Sequence, residues 1–136
     1  MTARALGIGS VILMLAGPAF AHHSFAMFDY NKDVTIVGDV KELQWTNPHI
    51  HLLVNVPDGK GAVNEWDIEG GTPGTLRRTG WTRDILKAGD KVSVRIHPMK
   101  DGTNGGQLVL ASRDGKPIGA AVVGAGGADG CLGCGR

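Results

Sequence analysis

Residues 49–56 read His-Ile-His-Leu-Leu-Val-Asn-Val. Ile50, Leu52, Val54 and Val56 recur at period two against His49, His51, Leu53 and Asn55, the pattern of a strand with one buried face. Turn signals bound it, Asn47-Pro48 before and Pro57-Asp58-Gly59-Lys60 after. Upstream, Val34 to Trp45 reads as a first strand, with Gly38 in its middle as the mark of a bulge or bend. Downstream, Ala62 to Glu69 reads as a third strand whose faces are left open by its register. Thr72 and Pro73 then look like the N-cap and first residue of a short helix ending near Arg78. A turn over Trp81 to Leu86 and Ala88-Gly89-Asp90 leads to a fourth strand, where Val92, Val94 and Ile96 alternate with Ser93, Arg95 and His97 up to Pro98. Asp101 to Gly106 reads as a polar glycine loop, and Leu108 to Ser112 as a fifth strand continued through a turn at Asp114-Gly115.

The predicted order is β-β-β-α-β-β. Five strands with one helix between the third and fourth, and a bend glycine in the first, make an all-β, OB-like small barrel the expected fold, with a β-sandwich as the alternative. The chain has 136 residues, 42% hydrophobic and 20% charged, enough for one domain. Its 22 glycines exceed the usual fraction of about 7% and disfavour a helix bundle or a coiled coil. A net charge of +1 gives no polybasic surface, and nucleic acid is not an expected partner.

The ends read differently from the middle. Met1 to Arg4 is basic, Ala5 to Ala16 is apolar apart from Ser10, and Pro18-Ala19-Phe20-Ala21 has the small-x-small pattern of signal peptidase sites. Residues 1–21 are therefore expected to be a cleaved signal peptide, too short an apolar run for a membrane anchor. Residues 22–118 would form the exported barrel domain, without a transmembrane segment, and the expected location is the periplasm. Residues 119–136 are rich in Gly, Ala and Val and read as a flexible tail. It carries Cys131-x-x-Cys134, for which an oxidising compartment favours a local disulfide over a mobile metal hook or a cross-link to another chain.

The candidate chemistry lies with the histidines. Cleavage after Ala21 would place His22 first, where its amine and imidazole can chelate one ion, and nitrogen donors in a planar set suit Cu(II). His49 and His51 sit two apart on a strand and so share a face. His97 closes the fourth strand beside Pro98 and Met99, whose thioether would suit Cu(I). The metal candidates are His22, His23, His49 and His97, with His51 and Met99 in a lesser role and copper as the expected ion. Glu65, Asp67 and Glu69 share a face of the third strand and read as a solvated edge rather than an acid–base pair. No nucleophile–base arrangement or substrate cleft is visible, so binding is expected rather than catalysis. The competing expectation is a metal-free envelope module presenting Trp45, Trp66 or Trp81 to a protein, peptide or glycan.

The strings HHSFAMFD at 22–29, QWTNPH at 44–49, EWDIE at 65–69, Gly80-Trp81 and LKAGDKVSVRIHP at 86–98 resemble a bacterial exported family, domain of unknown function 6152. The resemblance runs from His22 to about Pro117 and implies a small exported β-barrel. It singles out His22, His23, His49 and His97, while His51 and the cysteine tail fall outside its pattern. The family brings no activity with it. Protein recovered from the periplasm is expected to have an intact mass that begins at His22; a mass that begins at Met1 would remove the N-terminal amine as a ligand.

Overall fold

The computed structural model describes residues 27–120. The strands are β1 (Val34–Gln44), β2 (His51–Pro57), β3 (Val63–Glu69), β4 (Lys91–Pro98), β5 (Gly105–Arg113) and the two-residue β6 (Lys116–Pro117), with one helix, α1 (Pro73–Arg78), between β3 and β4. Antiparallel pairing runs β3-β2-β1-β4-β5-β6, and β3 also pairs in parallel with β5. That last pairing closes the sheet into a five-stranded barrel, β1-β2-β3-β5-β4-β1, which is the expected OB-like architecture and not a sandwich.

The period-two pattern dictates what fills the barrel. Ile36 and Val40 from β1, Leu52 and Val54 from β2, Ile68 from β3, Val92, Val94 and Ile96 from β4, and Leu108 and Ala111 from β5 all point inward and are buried. Burying such a side chain is worth about 1.5–3 kcal/mol. The helix starts where the sequence says it should. Thr72 caps it by accepting a hydrogen bond from the Thr75 amide at 3.1 Å, Pro73 occupies its first turn, and Arg77 and Arg78 lie near its negative C-terminal end. Its single turn and a half places the fully buried Leu76 in the core beside Trp81, Leu86 and Ile118. Among the described residues no helix is long and apolar enough to cross a membrane.

Three expectations need correction. First, Gly38 is not the bulge: the register of β1 against β2 shifts between Val40 and Glu42. Gly38 instead marks a close approach, since a Cβ there would stand 2.2 Å from the Asn55 carbonyl oxygen. Second, Gly105-Gly106 is strand and not loop. A Cβ on Gly106 would lie 2.5 Å from the His97 oxygen and one on Gly105 would lie 2.9 Å from the Asp67 oxygen, so only residues without side chains let β5 fit between β3 and β4 there. Glycine composition suggested a loop, and strand packing selected the same residues for another reason. Third, Trp45 and Trp81 are buried and Trp66 packs against the core, which leaves none of the three as an exposed binding platform. The turn at Asp114-Gly115 does form, with φ of 53° and 73°, the left-handed backbone that a two-residue hairpin requires.

Gly38→Ala is expected to destabilise the barrel by at least the ~1–3 kcal/mol typical of overpacking. Urea unfolding checks this, and a variant as stable as the parent would contradict the close approach of β1 to β2.

Candidate functional site

Residues that alternate with the core point outward, and the registers line four of them up. His51 on β2 pairs with Glu69 on β3, Glu69 with Gln107 on β5, and Gln107 with His97 on β4. A polar row thus crosses the outer surface of four adjacent strands. With strands about 4.7–4.9 Å apart, its two histidines are separated by three strand steps.

The chain just before β1 lies over this row. Phe28 bridges to Met99, the Asp29 amide donates to the Pro98 carbonyl at 2.8 Å, and the Lys100 amide donates to the Met27 carbonyl at 2.9 Å. Phe28 is buried as a result, although it is not part of the barrel core. Tyr30 stacks edge-on against Phe28, with ring centres 6.5 Å apart, and against His97 at 5.1 Å. Gln107 is 8% exposed, and its Oε1 has no partner. Partial desolvation pushes the Tyr30 phenol above its ordinary value, the nearby Glu69 charge pushes it further, and the Gln107 side chain opposes both.

Every histidine among the described residues sets Nδ1 against an oxygen, and for His51 and His97 the contact is a hydrogen bond. His49 Nδ1 lies 2.6 Å from Glu69 Oε1, and His51 Nδ1 lies 2.7 Å from Asp67 Oδ1. His97 Nδ1 lies 3.0 Å from the Lys32 carbonyl oxygen and 3.3 Å from Asp33 Oδ1. A carbonyl or a carboxylate can only accept, so Nδ1 carries the hydrogen and Nε2 keeps its lone pair. These pairs are partly exposed, and as ion pairs each is worth only about 0–1 kcal/mol. Their effect is orientation: a histidine whose Nδ1–H is held by an oxygen presents Nε2 as a ligand, the arrangement found around bound metals.

β2 begins at His51, so His49 precedes the strand rather than lying in it. The two still flank the fully buried Ile50 and face Glu69 and Asp67 of β3. A groove of about 230 Å³ opens beside them, lined by Met27, Phe28, His51, Asp67, Glu69 and Met99 over Gly105. His51 and Met99, the lesser candidates, come together there, whereas His97 sits across Tyr30 from the His49–Glu69 pair. Among the described residues, His, Cys, Asp and Glu form no group of three or more able to hold a metal by themselves. His22, His23, Cys131 and Cys134 lie outside the described residues, as do the predicted signal peptide and most of the tail. Sequence reasoning missed Tyr30, Gln107 and Met27. The solvated face read for Glu65, Asp67 and Glu69 is found, with Asp67 exposed, and from it Asp67 accepts a hydrogen bond from His51 while Glu69 faces His49. The alternation in EWDIE placed those carboxylates on one face, but only the β2–β3 register brings the histidines to them.

Tyr30 is the one tyrosine of the chain, so an ultraviolet titration reads it alone. Its phenol is expected to ionise above the ordinary value of about 10, and Glu69→Gln is expected to bring it down. Ionisation at or below that value would contradict the placement of Tyr30 over the row.

A search of curated proteins finds no match. Among solved structures the chain is similar to the mitochondrial single-stranded DNA binding protein Rim1 of S. cerevisiae, at 12% identity and a TM-score of 0.47, covering 66% of this chain and 96% of that one. The model of a family of unknown function (DUF6152) matches residues 11–108, and the chain belongs to that family.

Proposed function

We propose that the protein is an exported copper-binding protein of the periplasm, in which cleavage after Ala21 frees the His22 amine to chelate Cu(II) together with its own imidazole. A barrel imidazole, His49 or His97, supplies the third nitrogen, and His23 stands next to the chelate in sequence. Binding or delivery of the ion is the role, with no catalytic step.

The observation that carries this reading is the common orientation of the barrel histidines. Nδ1 of each faces an oxygen, through a hydrogen bond in His51 and His97, so in the neutral ring Nε2 is the donor left for a metal. Two further points support it. Met27 is hydrogen-bonded against the barrel through Lys100. His22 is five residues upstream of that anchor, and five extended residues reach roughly 17 Å. The carboxylates of Asp67 and Glu69 lie on the same face and favour a cation.

Cu(II) competition titration of the processed chain tests the reading. His22→Ala is expected to lower affinity at least a hundredfold, and so is acetylation of the His22 amine in the processed chain, because an acetylated nitrogen cannot join the chelate. His49→Ala and His97→Ala distinguish the third ligand. Equal affinity in the processed chain with a free and with an acetylated His22 amine would contradict the proposal.

A further inference from the structure

Two methionines lie within the described residues, and both line one groove. Met27 reaches it from the segment before β1, and Met99 from the end of β4. Neither belongs to the hydrophobic core or packs against it, so filling the barrel does not account for them. The Met99 side chain crosses Gly105, its Cγ lying 3.3 Å from the point where a Cβ on that glycine would stand. Gly105 pairs with Asp67, and Asp67 holds the His51 ring through Nδ1 at 2.7 Å. Met99 and His51 thus line one groove across the bare backbone of Gly105, a thioether and an imidazole on the same lining.

We propose that this groove is a binding site for Cu(I), with the thioethers of Met27 and Met99 and Nε2 of His51 as its ligands. Two neutral sulfurs and one imidazole nitrogen form a soft donor set, which selects a soft monovalent ion over hard cations. Asp67 and Glu69 line the groove and offset the ion's charge, and Asp67 already accepts a hydrogen bond from His51. Buried Phe28 walls the groove and limits water. The site goes beyond the Cu(II) chelate: all its donors belong to the described barrel and none is the N-terminal amine. Either site can therefore fail without the other.

Ag(I) is the probe, added to the full processed chain bearing Cys131→Ser and Cys134→Ser so that no thiol competes. Methyl signals of methionine labelled with carbon-13 report binding. One equivalent of Ag(I) is expected to shift the Met27 and Met99 methyls. Met99→Leu, Met27→Leu and His51→Gln should each weaken binding at least tenfold with unchanged circular dichroism, and His22→Ala should leave it unaltered. Met27 lies outside the strands, so Met27→Leu keeps the test decisive if a substitution on a strand impairs folding. Unmoved methionine methyls, affinity insensitive to these substitutions, or binding lost with His22→Ala would each overturn the proposal.

Discussion

The parallel pairing of β3 with β5 is the contact on which both barrel and site depend. Without it the strands form an open sheet with two edges; with it the sheet closes and Ile68 and Leu108 face a common interior. At this seam the backbones approach closely, and Gly105 permits it because it has no Cβ to meet the Asp67 oxygen, while Gly106 has none to meet the His97 oxygen of β4 on the other side. Gly105 also leaves the outer surface bare, and the groove lies over it.

The seam also explains why histidines from distant parts of the sequence share one surface. Glu69 and Gln107 meet across it, and each carries a neighbour from its other side: Glu69 pairs with His51, and Gln107 with His97. The segment from Met27 to Lys32 then crosses this row, tying Phe28 and Tyr30 to the end of β4. Oxygen acceptors fix the rings and leave the same nitrogen free on each.

Much of the fold was legible in the sequence. Period-two alternation located β2 and β4, and Thr72-Pro73 located the helix start to the residue. Glycine misled twice, since composition cannot tell a residue chosen for turning from one chosen for close approach; Gly38 and Gly105-Gly106 are the latter. The site was legible only in part. Spacing put His49 and His51 on one face and Asp67 and Glu69 on another, yet the pairing of those faces is a property of register. Tyr30 and Gln107 carry no motif, Met27 lies in HHSFAMFD without standing out as a ligand, and all three come to notice only where the segment before β1 meets the barrel. The tryptophans showed the opposite failure, as aromatic residues that suggested a surface and proved to build the interior.

Native-state hydrogen exchange at the seam tests the central claim most directly. If closure by β3 and β5 supports both barrel and groove, the amides of Asp67, Glu69, Gln107 and Leu108 should exchange only through global unfolding, as slowly as those of Val94 and Ile96 in β4. Seam amides that exchange through a much less costly local opening would show that the barrel is not held closed there, and would contradict the account of a preformed site.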